Sequence, residues 1–321
     1  MQYGRPSYGR GGFGSGIMEE FKNAFKLPDN GLMQLIFINV AVFVIFSLLH
    51  VILFFLQATS VYEVIESYFL IPASFSTFIT RPWTLITYFF MHGGFMHIIF
   101  NMLFLYWFGL IIKEFLGGGK VVSLYVLGGI AGGLLYLLMY NLVPPFTNNV
   151  NISMMLGASG GVYAVVVGAA TLMPNYSMHL MFFGPVRIKY IAIVYVFISL
   201  VNTTGANAGG NLAHLGGAAL GFIFIKQLQS GTDLGKPVHW FIAFIKSFFV
   251  RQPKVRVSYK KSASAKTSSK PKASSSKSFG TTNANVSQEE IDAILDKISQ
   301  HGYESLTKDE KQKLFSAGTK K

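Results

Sequence analysis

The chain has 321 residues, of which 51% are hydrophobic, 15% aromatic and only 13% charged. Soluble globular proteins carry about 25% charged residues, so this composition argues against a protein that mostly faces water. The absence of cysteine excludes thiol catalysis and disulfides. The net charge of +13 does not indicate a nucleic-acid-binding domain, because the basic residues cluster after Arg251 and in small groups between apolar runs.

Residues 1–30 predict a flexible cytoplasmic segment that is rich in glycine, arginine and tyrosine and lacks the apolar core of a signal peptide. Six apolar runs follow, and each predicts a membrane-spanning helix, since about 20 apolar residues cross a bilayer core of about 30 Å. Lipid requires every backbone group to be paired, which favours helices over strands. The spans are predicted at about 32–56, 95–112, 121–142, 159–173, 188–201 and 212–228.

Lysine and arginine are distributed unevenly between the loops. They precede the first and fifth predicted spans, flank the turn between the second and third, and follow the sixth. On the opposite side, the loop 57–94 holds only Arg81, and the loops 143–158 and 202–211 hold no basic residue. Because cytoplasmic loops carry the excess of Lys and Arg, we expect both termini in the cytoplasm.

Polar side chains within the apolar runs are functional candidates, because they are costly in a membrane. His97 and Asn101 are four residues apart on the second span and share a helix face. Ser159 begins the fourth span, and His214 is expected as the third or fourth residue of the sixth. The topology places all of these groups at one shallow depth near the outer end. A hydroxyl, an imidazole base and N–H donors are the parts of a nucleophilic hydrolase.

The chemistry of each side chain suggests a role. A serine needs an adjacent base before it attacks a carbonyl, and neutral His214 suits Ser159 in that role. The Asn101 amide, the His97 N–H and the backbone amide of Ser159 can donate to an oxyanion. The outer half of each span lacks Asp and Glu, so a Ser–His dyad is expected rather than a triad.

Each of these residues also has a structural interpretation. A serine among glycines is usually a helix-packing residue in membranes, and His214 could be a buried bundle histidine. A metal site of His92, His97 and His214 is disfavoured because the HxxxxH spacing is neither i,i+3 nor i,i+4 and no carboxylate or thiolate joins it. We therefore expect no metal and no cofactor.

Taken together, the motifs resemble the rhomboid family of intramembrane serine proteases over about residues 83–228. They are GxSG at the start of the fourth helix, His-xx-Gly-xxx-Gly on the sixth and H-x₄-H-x₃-N on the second. The matching residues, in that order of motifs, are Gly157 to Gly160 with Ser159, then His214, Gly217 and Gly221, then His92, His97 and Asn101.

The resemblance implies an all-α membrane protein with a six-transmembrane-helix rhomboid bundle over residues 31–230. It implies that Ser159 is the nucleophile and His214 the general base, with His97, Asn101 and the Ser159 amide as the oxyanion hole. Tyr163 matches a family tyrosine that stacks on the base, and its alternative is ordinary packing.

The same resemblance implies a serine endopeptidase that hydrolyses peptide bonds in or near transmembrane segments. Its partners would be transmembrane protein substrates and the lipid bilayer, and no nucleic acid. We expect a multi-pass protein of a bacterial inner membrane with the active site toward the outer face.

One departure from the family pattern lies in the first loop. Many members have Trp-Arg there, whereas here Trp83 is followed by Thr84 and Arg81 lies upstream. This weakens any inference about how the loop is held in the membrane. Glu114 matches a family acidic residue at the cytoplasmic end of the second helix and is expected to be structural.

The part of the chain after the sixth span is predicted to contain three segments. Residues 231–252 predict an amphipathic juxtamembrane segment on the cytoplasmic surface, or alternatively a short docked helix. Residues 253–286 predict a disordered linker rich in lysine and serine. Residues 287–321 predict a small soluble helical hairpin, similar to one appended to some bacterial rhomboids, that binds an unknown cytoplasmic partner.

The predicted hairpin has two capping boxes and an apolar stripe on its first helix, which Gly302 is expected to end. The boxes pair Ser287 with Glu290 and Thr307 with Glu310, and the stripe comprises Ile291, Ile294, Leu295 and Ile298.

Two other functional classes stay open. The first is a catalytically inactive rhomboid-like protein that binds membrane clients, although such relatives usually lack the serine or the base and this chain has Ser159 and His214. The second is a transporter or channel, which predicts ionisable residues at mid-bilayer depth or an inverted repeat. The sequence offers neither of these features.

Overall fold

The computed structural model describes residues 24–25, 29–180, 184–249 and 288–301, with short pieces at 306–307, 309–311 and 313–314. The chain divides into two compact units, Met1–Lys254 and Val255–Lys321. The linker predicted for residues 253–286 lies outside the described residues, as does nearly all of the flexible segment predicted for residues 1–30.

The first unit is a helical bundle whose main helices follow the predicted spans. Its helices are α1 (Gly31–Phe55), α2 (Thr59–Ser67), α3 (Phe75–Thr80), α4 (Thr84–Thr87), α5 (Phe95–Leu116), α6 (Gly118–Leu142), α7 (Pro144–Thr147), α8 (Ser159–Leu172), α9 (Ile188–Val201), α10 (Ala208–Gln229) and α11 (Lys236–Phe249). Short 3₁₀ turns cover Tyr88–Phe90 and Asn202–Thr204.

The start of α10 differs from the prediction. The helix begins at Ala208, four residues before the predicted span, so that His214 is its seventh residue rather than its third or fourth. Hydropathy missed the first turn because that turn contains glycine and asparagine. The turn is stabilised by Asn211, whose side-chain amide donates to the carbonyls of Asn202 and Asn207 at 2.9 Å each.

Four of the described helices, α1, α5, α6 and α10, are long and apolar enough to cross a membrane. α8 and α9 are apolar but have 14 residues each. A 14-residue helix is about 21 Å long, which is shorter than a bilayer core of about 30 Å. The short α8 is accommodated inside the bundle, where ten of its 14 residues are buried. Ser159 is its first residue, and we call the end of the bundle at which α8 begins the site end.

The centre of the unit is formed by α6, α8 and α10, which pack through small residues. A methyl group added at Gly132 of α6 would lie 2.7 Å from the carbonyl oxygen of Ala213 on α10. One added at Gly161 of α8 would lie 2.6 Å from the carbonyl oxygen of Tyr125 on α6. Small residues allow helix backbones to approach closely in membranes, and here they bring three helices into direct contact.

Buried tyrosines tie the segment before α5 to α6. The Tyr88 hydroxyl donates to the Gly129 carbonyl at 2.6 Å, and the Tyr125 hydroxyl donates to the Phe89 carbonyl at 2.6 Å. Both rings are almost fully buried. These bonds fix the chain just before His92 and His97.

Two short antiparallel ladders connect the loops. β1 (Ile71–Pro72) pairs with β2 (Met154–Met155), which precedes α8 by three residues. β3 (Ser177–Leu180) pairs with β4 (Gly184–Arg187) between α8 and α9. The first ladder anchors the segment that leads into Ser159 to the loop that follows α1.

The loop after α1 is held by the residues that depart from the family pattern. The Arg81 guanidinium lies 4.0 Å from the centroid of the Tyr68 ring, and the Trp83 indole N–H donates to the Tyr68 carbonyl at 2.9 Å. Arg81 and Trp83 thus both bind Tyr68, although Arg81 precedes Trp83 in this sequence.

α11 docks on the beginning of α6. Lys120 forms an ion pair with Asp233, and the Ser123 hydroxyl lies 3.2 Å from Nε2 of His239 on α11. The contact with Lys120 lowers the pKa of the Asp233 carboxyl. Two aromatic side chains of α11, Trp240 and Phe248, remain largely exposed. The contacts agree with the docked-helix alternative, and the placement of α11 on a membrane surface stays a prediction.

The second unit contains α12 (Gln288–His301), in which the Ile294 side chain is buried. Leu295, another member of the predicted apolar stripe, is 49% exposed. It lies one residue, or about 100° around the helix, from the buried Ile294, so it is at the more exposed side of the stripe. Gly302 and the capping serine at position 287 lie outside the described residues.

The second predicted capping box is present. The backbone N–H of Thr307 donates to the Glu310 carboxylate at 2.8 Å, and the backbone N–H of Glu310 donates to the Thr307 hydroxyl at 3.3 Å. The Lys297 ammonium also donates to both oxygens of that carboxylate at 3.0 Å. Glu310 therefore connects α12 to the following turn.

Replacing Glu310 by Gln should loosen this unit. The Thr307 N–H, followed by Lys297, lowers the pKa of Glu310 to about 2, so its ionised form stabilises the fold. A depressed pKa gives stability that is fully present above the ordinary pKa of a glutamate and is lost as the pH falls toward about 2. Hydrogen exchange of the full chain should show faster exchange in α12 of Glu310→Gln at neutral pH.

The control for this measurement is Asp309→Asn, which removes an exposed carboxylate from the neighbouring residue. Equal exchange rates in α12 of the parent and of Glu310→Gln would contradict the assigned role of Glu310.

Candidate active site

Ser159 and His214 belong to different helices, and their side chains meet at the site end of the bundle. The Ser159 hydroxyl oxygen lies 2.8 Å from Nε2 of His214. α8 and α10 are in backbone contact beside this pair, because a methyl group at Gly217 would overlap the carbonyl oxygen of Gly160. The Gly-xxx-Gly strip predicted on α10 is thus where the two helices touch.

Gly157 shapes the space in front of Ser159. Its φ of +133° is a conformation that residues with a side chain rarely adopt, and its N–H donates to the Tyr88 carbonyl at 3.0 Å. A Cβ atom at this position would lie 3.1 Å from the His97 ring and 3.5 Å from the Ser159 hydroxyl oxygen. The glycine therefore leaves open the volume between His97 and Ser159.

His97 directs a nitrogen toward that volume. Its Nδ1 accepts a hydrogen bond from the Gly93 backbone N–H at 3.3 Å, so in neutral His97 the ring hydrogen is on Nε2. Nε2 lies 3.3 Å from the position that a Gly157 Cβ would occupy. His97 thus offers an N–H donor to the space beside Ser159.

Asn101 lies one helical turn further along α5 and is buried. Its side-chain NH₂ donates one hydrogen bond to the His97 carbonyl at 2.7 Å, which fixes the amide against its own helix. A side-chain amide has a second N–H, which is available for another acceptor. His97, Asn101, Ser159 and His214 all line one cavity of about 770 Å³.

The cavity is bounded by α5, α6, α8, α9 and α10, by β2 and by the segment that leads into α10. Its volume falls within the range of about 300–1,000 Å³ that is typical of ligand pockets. Backbone and polar side chains contribute much of the lining, among them Ser153 and Asn207. The main chain of a bound peptide could reach Ser159 through this cavity.

A column of aromatic rings supports the His214 imidazole. Tyr163 stacks on His214 with ring centroids 4.2 Å apart and planes 8° apart, as the resemblance predicted. Tyr195 of α9 stacks on the other face of Tyr163 at 3.9 Å, and Phe104 of α5 stacks on Tyr195 at 5.0 Å. The column fixes the plane of the imidazole against α5, α8 and α9.

Ser199 of α9 is a site residue that sequence reasoning missed. Its hydroxyl oxygen lies 3.0 Å from Nδ1 of His214 and 2.6 Å from the Tyr163 hydroxyl, and the residue is 1% exposed. The sequence carries no signal for it, since Ser199 belongs to no motif and a serine in a membrane helix commonly bonds the carbonyl four residues earlier.

His92 lies beside the site rather than in it. Its ring is 5.4 Å from the His97 ring, and its Nε2 is buried without a hydrogen-bond partner in the described part of the chain. His92 does not line the cavity. Among the described residues, no group of three or more His, Asp or Glu side chains could hold a metal ion.

Residues 80–229 match the family model described as "Rhomboid domain", which covers the site and its supporting helices. This part of the chain belongs to the rhomboid family. Residues 282–316 match a second model, a family of unknown function named DUF6576. The rhomboid membership and the apolar helices make the chain an integral membrane protein with an all-α bundle.

Named relatives agree with this assignment. "RHOMBOID-like protein 12, mitochondrial" of Arabidopsis thaliana is 31% identical over 47% of this chain and 48% of its own length. "Rhomboid-like protein 16, chloroplastic", also of Arabidopsis thaliana, is 28% identical over 70% of this chain and 71% of its own. "Rhomboid protein 1, mitochondrial" of Saccharomyces cerevisiae is 28% identical over 61% and 53%. The matched part of this chain spans about half the length of the first of these relatives.

Replacing Gly217 by Ala should separate the two helices of the Ser159–His214 pair. The added methyl group overlaps the Gly160 carbonyl oxygen, and overpacking of this kind costs about 1–3 kcal/mol. We expect a lower thermal unfolding temperature and the loss of the Ser159–His214 hydrogen bond. Both can be measured on the purified protein, by thermal unfolding and by the ¹⁵N spectrum of His214.

Gly168→Ala is the matched control. Gly168 is also a buried helical glycine, but a methyl group there would meet only the flexible Leu124 side chain at 3.3 Å and Ile225 at 3.6 Å. Equal effects of the two substitutions would show that α8 and α10 do not depend on contact at Gly217.

Proposed function

We propose that this rhomboid protein is an intramembrane serine endopeptidase that works through a Ser159–His214 dyad. The observation that carries the proposal is the distance of 2.8 Å between the Ser159 hydroxyl oxygen and His214 Nε2. A nucleophile within hydrogen-bond reach of a base, with the base oriented by further groups, is the arrangement that nucleophilic catalysis requires. Family membership supports the same class of reaction.

In the proposed reaction, His214 Nε2 takes the hydroxyl proton as the Ser159 oxygen attacks the scissile carbonyl carbon. The carbonyl oxygen becomes an oxyanion and receives hydrogen bonds from His97, Asn101 and the Ser159 backbone N–H. The C–N bond then breaks, and the amine leaves with the proton from His214. Water attacks the resulting ester in a second step, again with His214 as base, and releases the acid and free Ser159.

The site geometry supports these oxyanion donors. Ser159 begins α8, and the first N–H groups of a helix have no acceptor within the helix. His97 Nε2 borders the space above Gly157, and Asn101 lines the same cavity. The donors surround one volume beside the hydroxyl.

We infer that the substrates are transmembrane proteins. The catalytic pair lies at the end of a helix that is buried among membrane-spanning helices, so a substrate would enter from the bilayer. Helical carbonyls are already hydrogen-bonded, so a substrate helix has to unwind locally before its carbonyl reaches Ser159. Segments with small or helix-breaking residues are therefore favoured.

The distribution of basic residues supports a topology with both termini in the cytoplasm and Ser159 toward the outer face. Location in a bacterial inner membrane stays a prediction. The domain match at residues 282–316 is to a family of unknown function, and binding of a cytoplasmic partner by the C-terminal hairpin also stays a prediction.

Labelling with a serine-directed fluorophosphonate tests the dyad. The parent protein in detergent or liposomes should react at Ser159, and Ser159→Ala and His214→Ala should both lose the label, because one lacks the nucleophile and the other the base. The same variants should fail to cleave a model transmembrane substrate that the parent cleaves.

Ser153→Ala provides the matched control, since Ser153 lines the same cavity but is not bonded to His214. It should label like the parent. Equal labelling of parent, Ser159→Ala and His214→Ala would reject the protease and favour a rhomboid-like protein that binds membrane clients.

Replacing His97 by Ala should slow cleavage about 10²-fold, because one preorganised oxyanion donor is lost. The decrease should appear in kcat more than in KM, since the donor acts on the transition state. His179→Ala, which removes an imidazole from β3, is the control. An unchanged kcat in His97→Ala would exclude His97 as an oxyanion donor.

A further inference from the structure

We propose that Ser199 is a positioning residue that sets the hydrogen-bonding form of His214. The proposal rests on the proposed function, since it concerns the base of that site. It starts from the geometry of Ser199, whose hydroxyl lies between Nδ1 of His214 at 3.0 Å and the Tyr163 hydroxyl at 2.6 Å.

The direction of this hydrogen-bond chain follows from its far end. The Tyr163 hydroxyl contacts the Tyr195 backbone carbonyl at 3.3 Å, and a carbonyl can only accept. In the proposed arrangement, Tyr163 donates its hydrogen to the Tyr195 carbonyl and accepts the hydrogen of Ser199. Ser199 in turn accepts from His214, which places the imidazole hydrogen on Nδ1.

This form of His214 is the one that a base needs. With its hydrogen on Nδ1, neutral His214 has a free electron pair on Nε2, the atom that lies 2.8 Å from the Ser159 hydroxyl oxygen. In the other neutral form, Nε2 carries the hydrogen and cannot take the Ser159 proton. Ser199 favours the productive form by giving Nδ1–H a buried acceptor.

Ser199 occupies the place that a carboxylate has in a Ser-His-Asp triad, with a different electrostatic contribution. Its hydroxyl is neutral, so it orients His214 but adds no negative charge to stabilise the imidazolium. The Tyr163 ring stacks on the face of the His214 imidazole at 4.2 Å, and the Ser199 hydroxyl contacts the edge of the imidazole at Nδ1.

Ser199 also connects the base to α9. Of the residues of α9, only Ile188, Ala192 and Ser199 are buried, so this helix is mostly exposed at the surface of the described bundle. Ser159 and His214 are on α8 and α10, which contact each other directly. The bond to Ser199 therefore links His214 to a third helix.

The test combines two readouts on the full chain. The first is the ¹⁵N spectrum of histidine-labelled protein, which reports which ring nitrogen of His214 carries hydrogen, with His214→Gln used for assignment. The second is the rate of fluorophosphonate labelling at Ser159. The variants are Ser199→Ala, which removes the hydroxyl, and Ser199→Thr, which keeps it.

In the parent, we expect the hydrogen on Nδ1. In Ser199→Ala, the form with hydrogen on Nε2 should become populated, and labelling should slow about 3- to 10-fold, the loss expected from one buried hydrogen bond. Ser199→Thr should restore both the spectrum and the rate. These three results together support the proposal.

Thr171→Val is the matched control, because Thr171 is a helix hydroxyl of α8 that bonds only the Val167 carbonyl, at 2.7 Å, four residues earlier. It should match the parent in both readouts. The proposal is overturned if the parent carries hydrogen on Nε2, if Ser199→Ala leaves the spectrum unchanged, or if Thr171→Val has the same effect as Ser199→Ala. Failure of the proposed function has a different signature, the absence of Ser159 labelling in the parent, and the spectrum of His214 can be read in either case.

Discussion

The site depends on the direct backbone contact between α8 and α10. Packed helices usually keep their axes about 8–10 Å apart, at a distance set by the side chains between them. Here the contact is made by glycines, with Gly217 against the Gly160 carbonyl and Gly221 against the Ala164 carbonyl. Without side chains in between, a short side chain at the first residue of α8 can reach an imidazole on α10.

Around this contact, the site is ordered by two further sets of interactions. The stacked rings of Phe104, Tyr195 and Tyr163 set the plane of the His214 imidazole. The tie of Tyr88 to Gly129 and the unusual backbone of Gly157 set the position of the space beside Ser159. Both sets use buried or half-buried groups with their partners within the bundle, so the geometry is preorganised before a substrate arrives.

Much of the site was predictable from the sequence because the relevant signals are local. Apolar run length gave the main helices, and a four-residue spacing placed His97 and Asn101 on one face of α5. The motif around Ser159 and the strip that includes Gly217 identified the nucleophile candidate and its contact. What these signals share is that they depend on residues close together in the chain.

The parts that were not predictable depend on helix rotation and on loop structure. α9 is apolar on all sides, so its sequence does not tell which face turns inward, and Ser199 could not be assigned to His214. Hydropathy also missed the first turn of α10, which is stabilised by the hydrogen bonds of the Asn211 side chain to the carbonyls of Asn202 and Asn207 rather than by apolar residues. The single exposed leucine on α12, Leu295, shows that an apolar pattern can include a residue outside the packed face.

The central claim is that Ser159 and His214 act together on a carbonyl held between the donors around Gly157. An experimental structure of the protein after reaction with a fluorophosphonate tests this most directly. We predict a covalent bond from phosphorus to the Ser159 oxygen, with the phosphoryl oxygen about 2.7–3.1 Å from the Ser159 backbone nitrogen and from His97 Nε2. An unmodified Ser159, or a phosphoryl oxygen that points away from His97 and Asn101, would contradict the account.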